Sequence, residues 1–347
     1  MANPDLTHDA VEVLKRLIAI PSVSREETAA ADFIENYMRA KGCDVGRYDN
    51  NIMAVSNNFD NSQPAVLMNA HIDTVKPVST WNRDPFKPTV EGDCLYGLGA
   101  NDCGGGLVAL MHVFLELRSK VNNLIFIASA EEEVSGKKGM ESMVGKLPSM
   151  DFALVGEPTG MQPAIAEKGL MVVDAVAHGI SGHAARNEGV NAIYIANDDI
   201  NWLRNYRFNR VSDLLGPVKA TVTVIEAGTQ HNVVPDECRF TIDIRTNECY
   251  TNEEVFDILK ENMKSELNPR SFRLGSSSIS TNHHFVKKCI EMGKTPFGSP
   301  TLSDQALMNF PSLKMGPGES ARSHTADEFI RITEIDDAIN TYLKLLA

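Results

Sequence analysis

Three short apolar runs constrain the fold of this 347-residue chain more than any other feature. They begin at Ala65 (AVLMN), Leu124 (LIFIAS) and Phe152 (FALVG), and each has the length and composition of one buried strand. Residues 28–40 have helical spacing, and a second apolar helix follows the glycine-rich turn at Gly104. Because buried strands separated by helices belong to α/β layers, we predict a mostly parallel mixed sheet flanked by helices.

The pattern changes after Lys168. Three segments alternate apolar and polar positions, as strands with one solvated face do: 170–178, 219–226 and 239–245. Two segments with helical spacing lie among them: 189–205 and 252–266. We therefore predict a smaller α+β domain at residues 169–280, inserted into a catalytic domain made of residues 1–168 and 281–347.

Composition narrows the class of protein. Lys+Arg number 33 and Asp+Glu 46, so the net charge of −13 disfavours nucleic acid and anionic membranes as partners. The chain has no apolar run of about 18 residues, and its N-terminus lacks the pattern of a signal peptide. Its six cysteines form no CxxC pair, which favours free thiols. Together these features predict a cytoplasmic location.

Polar side chains follow each apolar run. His71 and Asp73 come after the first, residues 131–133 (EEE) after the second, and Glu157 after the third. The ligand crevice of an open α/β sheet lies beyond the carboxyl ends of its strands, so these groups are expected at one edge. Taken singly, each also fits an ordinary structural role, such as a histidine at a strand end or a solvated acidic loop.

Asp102, in a glycine-rich turn, and His324, in a loop, complete the candidate cluster. Asp102 fits a helix N-cap equally well. The turn does not match a dinucleotide fingerprint, because its glycines are spaced GxGxxxxG rather than GxGxxG. Two imidazoles with three carboxylates suit a pair of divalent cations, zinc first, with cobalt or manganese as substitutes. The five candidate ligands are His71, Asp102, Glu133, Glu157 and His324.

Eight motifs, spread over nearly the whole chain and in family order, resemble the M20 metallopeptidases. This family includes acetylornithine deacetylase, succinyl-diaminopimelate desuccinylase, aminoacylases and bacterial carboxypeptidase G. The motifs are AHIDTV, GLGANDCGGG, SAEEEVSG, LVGEPT, GISGHAAR, HNVVPDECRFTIDIR, TLSD and SHTADE.

The resemblance implies a ligand set for two zinc ions per subunit. His71 and Glu157 would hold one ion, Glu133 and His324 the other, and Asp102 would bridge them. Many relatives have Asp-Met-Lys-Gly or Asp-Asp-Lys-Gly where this chain has Asp102-Cys103-Gly104-Gly105, so the lysine is missing.

The resemblance also implies catalytic and substrate-binding residues. Asp73 would orient a metal-binding histidine, and Glu132 would be the general base. His183 is similar to the histidine that reaches the partner subunit's active site in relatives that form homodimers through the inserted lid domain. Asn232 and Arg245 fall where relatives contact substrate, and the forked donors of Arg245 suit a carboxylate.

The substrate is predicted from two motifs. GEPTG and SHTADE look closest to acetylornithine deacetylase, so we expect hydrolysis of an N2-acyl-L-ornithine, acetyl or succinyl, in arginine biosynthesis. N-acyl-lysine or succinyl-diaminopimelate deacylation and dipeptide hydrolysis are the alternatives. A non-catalytic relative is disfavoured because every ligand and base position is filled.

Overall fold

The computed structural model describes residues 4–347. Its helices are α1 (Pro4–Ile18), α2 (Thr28–Ala40), α3 (Gly105–Leu117), α4 (Met140–Val144), α5 (Ala192–Asn205), α6 (Asn252–Asn262), α7 (His284–Glu291) and α8 (Ile332–Leu346). None of the helices in this range is both long and apolar enough to cross a membrane.

The strands of the first half are β1 (Val45–Tyr48), β2 (Asn51–Val55), β3 (Ala65–His71), β4 (Thr89–Glu91), β5 (Cys94–Tyr96), β6 (Leu124–Ser129), β7 (Met150–Val155) and β8 (Ala164–Glu167). The remaining strands are β9 (Met171–His178), β10 (Gly182–His183), β11 (Lys219–Ala227), β12 (Val233–Val234), β13 (Glu237–Arg245), β14 (Glu266–Pro269), β15 (Ser277–Ser278), β16 (Phe297–Ser299), β17 (Ser312–Lys314) and β18 (Phe329–Arg331).

The chain divides into two compact units. The first comprises residues up to Ile165, together with Ser278–Phe297 and Ser303–Ala347. The second comprises Ala166–Ser277 and Gly298–Leu302. Its main segment differs by three residues at each end from the insertion predicted at 169–280, and it gains a short piece from later in the chain. Its role as a lid and dimerisation domain stays a prediction.

The first unit contains the predicted mixed sheet. Strands run in the order β1-β2-β6-β3-β7-β17, and the sheet continues through β8, β15 and β16. The central strands β6, β3, β7 and β17 are parallel, whereas β1, β2 and β8 pair antiparallel with their neighbours. The prediction of a mostly parallel sheet flanked by helices is therefore confirmed for the strands that carry the candidate site.

Alternate side chains of β3 reach the core on each face of this sheet. Met68 and Ala70 pack with α1, α2, α3 and α8, while Ala65 and Leu67 pack on the other face with α4. The helix α3 is buried along nearly its whole length, which is why its sequence is apolar all round rather than striped.

The second unit has the one-sided sheet that its sequence alternation predicts. Strands run in the order β11-β13-β9-β14, all antiparallel, and α5 packs on one face. Phe240 and Ile242 of β13 are buried, while Arg239 between two buried positions is exposed. The helix predicted at 252–266 ends at Asn262, because Met263 adopts extended backbone and Glu266 begins β14.

Candidate metal centre

His71 ends β3 with its imidazole buried at the carboxyl edge of the sheet. Its Nδ1 lies 2.8 Å from the backbone carbonyl oxygen of Asp73. Since a carbonyl oxygen only accepts, Nδ1 carries a proton, which leaves Nε2 as the nitrogen that could bind a metal. The sequence predicted this orienting role for the Asp73 carboxylate, but that group lies farther away, at 3.7 Å. The orienting contact therefore runs through the backbone of Asp73.

The Asp73 carboxylate instead holds the turn that carries the acidic run. Its two oxygens accept the backbone N–H groups of Glu132 at 3.0 Å and Glu133 at 3.1 Å. The Ser24 hydroxyl donates to the same carboxylate at 2.6 Å. The buried Asp73 carboxylate thus links the end of β3 to the turn after β6 through hydrogen bonds.

Asp102 lies between two imidazoles. Its Oδ1 is 3.2 Å from His71 Nε2, and its Oδ2 is 3.6 Å from His324 Nε2. Asp102 has φ −119° and ψ 99°, and α3 begins three residues later without a side-chain cap. The interpretation as a helix N-cap is therefore wrong: the carboxylate faces the imidazoles.

Each imidazole has a further carboxylate beside it. His71 Nε2 lies 3.6 Å from Glu157 Oε1, which follows β7, and His324 Nε2 lies 2.9 Å from Glu133 Oε2. His324 sits in a loop with φ 60° and is half-exposed. All five residues predicted as ligands are brought together, in two histidine–carboxylate pairs with Asp102 between them.

The donor set fits a divalent cation pair. The buried Oε1 of Glu157 has no hydrogen-bond partner among the described residues, and such an atom is costly unless a cation satisfies it. Ligand atoms of His71, Asp102 and Glu133 all lie within 4.8 Å of one another. Imidazole nitrogen with carboxylate oxygen is the chemistry that zinc and neighbouring transition metals prefer.

Crowded carboxylates shift the proton affinities of the cluster. Burial, reinforced by Asp102, raises the pKa of Glu157 to about 8. The hydrogen bond with Glu133 raises the pKa of His324 to about 9. Burial also raises the pKa of Glu132 well above its usual range, and the carboxylates of Glu157 and Asp304 add to this effect. Without cations, this cluster therefore retains protons at neutral pH.

Two acidic residues for which the sequence predicted no role support the cluster. Glu328 is buried, and its carboxylate accepts the backbone N–H groups of Gly99 at 3.2 Å, Asn101 at 2.8 Å and Asp102 at 2.9 Å. Asp304 is also buried and accepts the Ser129 hydroxyl at 2.6 Å. Glu328 is the last residue of the SHTADE motif, and Asp304 is the last residue of TLSD. These positions were the only signal of their role in the sequence.

Cys103 is the one thiol within the cluster among the described residues. Its Sγ accepts the backbone N–H of His71 at 3.2 Å and lies within 4.8 Å of ligand atoms of His71 and Glu157. Burial raises the pKa of this thiol far above its usual range, so it stays protonated at neutral pH. This geometry does not favour thiol catalysis.

The three remaining predicted residues lie in the second unit. His183 is exposed in the two-stranded ribbon of β10 and β12, where it pairs with Val233, and Asn232 immediately precedes that partner. Arg245 ends β13, and its guanidinium already forms a two-point ion pair with Asp243, at 2.9 and 3.2 Å. Their roles toward substrate stay predictions.

Comparison with known proteins decides the family. A family model described as peptidase family M20/M25/M40 matches residues 67–347, the part of the chain that contains all five candidate ligands. The chain belongs to this family. As an M20 protein it is a metal-dependent hydrolase that acts on amides.

Individual relatives of this M20 chain are distant but span its length. A succinyl-diaminopimelate desuccinylase of Corynebacterium glutamicum is 28% identical over 360 residues, which cover 96% of this chain and 95% of the relative. A Staphylococcus aureus tripeptidase structure superposes with a TM-score of 0.77 at 22% identity, covering 98% and 97% of the two chains. A Bacillus subtilis M20 peptidase described as dinuclear metal-binding gives a TM-score of 0.74 at 16% identity, covering 99% and 98%. These two structures share the fold of this M20 chain.

Proposed function

We propose that this M20 hydrolase uses two zinc ions to remove the acyl group from the α-amine of a small amino acid. The position of Asp102 carries the proposal, since its two oxygens face histidines that come from opposite ends of the chain. A single carboxylate between two histidine–carboxylate pairs is suited to bridging two cations, as in dinuclear hydrolases.

The residues of the site divide into proposed metal ligands and one residue that transfers a proton. His71 with Glu157, and Glu133 with His324, would hold one ion each, and Asp102 both. When bound, the cation pair supplies Lewis acidity that polarises a carbonyl and makes a water nucleophile available near neutral pH. Glu132 belongs to none of the pairs, although Asp73 fixes its backbone beside them.

Glu132 is the proposed general base. Glu132 is half-buried, and burial raises the pKa of its carboxyl well above the usual range, which makes the carboxylate a stronger proton acceptor. In this proposal it takes the proton from the attacking water and returns it to the departing amine nitrogen. Because Glu132 accepts one proton and then donates it, its carboxylate returns to its starting state at the end of each turnover.

N-succinyl-diaminopimelate is the first candidate substrate. The support is the similarity to succinyl-diaminopimelate desuccinylases, which extends over nearly the whole chain in the Corynebacterium protein. This changes the preference drawn from the motifs alone, which favoured N2-acyl-L-ornithine and arginine biosynthesis. The acylornithine stays a second candidate because GEPTG and SHTADE favour it. Both compounds carry an acylated α-amine, a free α-carboxylate and a second amine on an alkyl chain.

Three residues of the second unit have proposed roles as well. Arg245 and Asn232 are proposed to bind the substrate carboxylate, and His183 to act in the site of a partner subunit within a homodimer. A cytoplasmic location fits the composition. The exposed edge of β11, with Val224 and Ile225 half-exposed, supports pairing between lid domains.

One activity panel tests the proposal. Release of free amine is measured with N-succinyl-diaminopimelate, N2-acetylornithine, N2-succinylornithine, N-acetyl-lysine and a dipeptide, each before and after complete chelation. We expect an acyl amino acid to be preferred, activity to vanish on chelation, and zinc to restore it. Turnover that survives complete metal removal would refute the metal mechanism, and a preference for the dipeptide would refute the deacylase assignment.

The variant Glu132→Gln tests the base in the same assay. It should lower kcat by about 10²–10⁴-fold, because general base catalysis contributes roughly that factor, while zinc content stays unchanged. Glu261→Gln, at an exposed position of α6, is the matched control and should retain full activity. Near-normal turnover by Glu132→Gln contradicts the assignment.

A further inference from the structure

A depression of about 660 Å³ lies in the second unit, between the C-terminal end of α5 and the beginning of β11. Its floor is apolar: Leu203, Phe208 and Val218 line it and are all buried. The half-buried ring of Tyr206 forms part of its wall. A volume in this range is typical of small-molecule sites, which combine an apolar lining with a few polar groups.

Four cations surround this floor: Lys168, Arg204, Arg207 and Lys219. None of the four forms an ion pair with a carboxylate in the described part of the chain. Other arginines of the same unit are paired, as the Arg210–Glu254, Arg239–Glu237 and Arg270–Asp174 contacts show. In a chain of net charge −13, four neighbouring cations without a counter-charge are not explained by composition.

Backbone contacts hold two of these cations at the depression. The Lys168 ammonium donates to the carbonyl oxygen of Pro217 at 3.3 Å. The Arg207 guanidinium donates through Nη1 to the carbonyls of Arg204 and Tyr206, both at 2.9 Å. Each side chain still has further N–H donors, since an ammonium has three and a guanidinium five.

The cations also act on each other. Burial, and then the positive charges of Lys219 and Arg245, lower the pKa of Lys168. Mutual repulsion of this kind is relieved when an anion binds, and an anion beside an apolar floor is bound where water is partly excluded. A phosphate alone would use the cations and leave the floor exposed, whereas an anion with an apolar part would use both.

We propose that this depression binds an organic monoanion with an apolar chain or ring, such as a medium-chain or aryl carboxylate. The carboxylate would be held by the four cations, and its apolar part would cover Leu203, Phe208 and Val218. The depression is lined by residues of the second unit alone and includes none of the five metal ligands. The inference therefore stands independently of the proposed deacylase function.

Calorimetric titration of the zinc-loaded protein tests the site, with octanoate as the probe. Octylamine has the same chain with a positive charge, and acetate has the same charge without the chain. We expect octanoate to bind, acetate to bind at least about tenfold more weakly, and octylamine not to bind, because the site needs both charge and chain.

Two charge-matched double variants locate the bound octanoate. Arg204→Gln/Lys219→Gln removes two cations of the depression, and Lys260→Gln/Lys264→Gln removes two exposed cations elsewhere in the same unit. Melting temperature confirms that both fold. The first variant should weaken octanoate binding by about tenfold or more, while the second stays within about twofold of the unmodified chain.

Three results would overturn the proposal. One is equal octanoate affinity in the two double variants, which would place the octanoate at the zinc ions or elsewhere. Another is octylamine binding as tightly as octanoate, which would show that the cations are irrelevant. The third is no detectable octanoate binding by the unmodified chain at millimolar concentration.

Discussion

At the residue scale, the proposed metal centre depends on the direction in which the Asp102 carboxylate faces. A carboxylate that bridges two cations must direct one oxygen toward each of them. Residues outside the turn that carries it must therefore fix the conformation of that turn. Glu328 does this by accepting three backbone N–H groups from that turn, and it lies four residues after His324. One buried carboxylate therefore couples the segments that carry two candidate ligands, Asp102 and His324.

Replacing Glu328 should reveal this positioning role. Glu328→Ala leaves three buried N–H groups without an acceptor, and we expect zinc affinity to fall about 10–100-fold, as for other residues that orient metal ligands. Glu328→Gln should recover part of the loss, because its amide oxygen still accepts while its NH₂ group faces a donor. Competition with a fluorescent chelator measures the affinity. Unchanged zinc binding in Glu328→Ala contradicts the role.

Proton release should accompany metal binding. Glu157, with a pKa of about 8, and His324, with a pKa of about 9, are both protonated at pH 7 in the metal-free protein. Cations bind only the deprotonated ligands, so zinc affinity should rise with pH up to about 9 and level off above it. Zinc added at pH 7 in weakly buffered solution should release at least about two protons per chain, since the pKa of His71 is also raised, against the effect of burial, by Cys103 and Asp102. No release would contradict these raised pKa values.

The clustering of the candidate ligands was predictable from residue type and position, but the contacts that orient them were not. His71, Glu133 and Glu157 follow apolar runs, and strand ends of a parallel sheet converge. The contact between His71 and the backbone of Asp73 depends on the backbone conformation after β3. The spacing of residues in the sequence does not predict that conformation. The anchoring of Asp102 by Glu328 links positions 226 residues apart, and no local pattern connects them.

At the element scale, α3 and the end of β7 meet without side chains between them. A Cβ built on Gly106 would lie 1.7 Å from the carbonyl oxygen of Gly156, the residue just before Glu157. This close approach of helix and strand sets where the Glu157 carboxylate emerges. The glycine-rich beginning of α3 is therefore required by packing.

Gly106→Ala should disturb both stability and the site. Because the added methyl group meets backbone, we expect the free energy of unfolding to fall by about 1–3 kcal/mol and zinc affinity to fall with it. Gly145→Ala is the matched control, since its Cβ would meet nothing within 4 Å and its φ is −67°. Urea denaturation measures the difference. Equal stability of the two variants would show that the close approach does not constrain the structure.

Long elements with clear periodicity were predicted well, and their ends less well. The segment 28–40 matches α2, and the buried runs match β3, β6 and β7. The predicted helix at 252–266 was four residues too long. Residues 263–266 have a composition that suits a helix, but the pairing of β14 with β9 requires extended backbone from Glu266 onward. Strand pairing between distant segments outweighed local preference there.

At the scale of the whole molecule, the second unit has an unpaired sheet edge. β11 pairs with β13 on one side only, and it exposes Val224 by 49% and Ile225 by 54%. Tyr194 at the beginning of α5 is 70% exposed. An edge strand with apolar side chains is a liability unless another strand covers it, which favours a second copy of this chain.

A charge at this edge should separate the proposed dimer. Ile225→Lys should shift the sedimenting mass from that of two chains to that of one, because a buried lysine opposes strand pairing. Ile290→Lys, at a comparably exposed position of α7 in the first unit, is the control and should leave the mass unchanged. If the unmodified chain sediments as a monomer, the proposed pairing is wrong.

Anomalous diffraction from crystals of the zinc-loaded protein tests whether Asp102 bridges two zinc ions. We predict two zinc peaks per chain, each about 2.0–2.2 Å from one oxygen of Asp102, with His71 and Glu157 at one peak and Glu133 and His324 at the other. A single peak, or two peaks that do not share Asp102, would contradict the proposed metal centre.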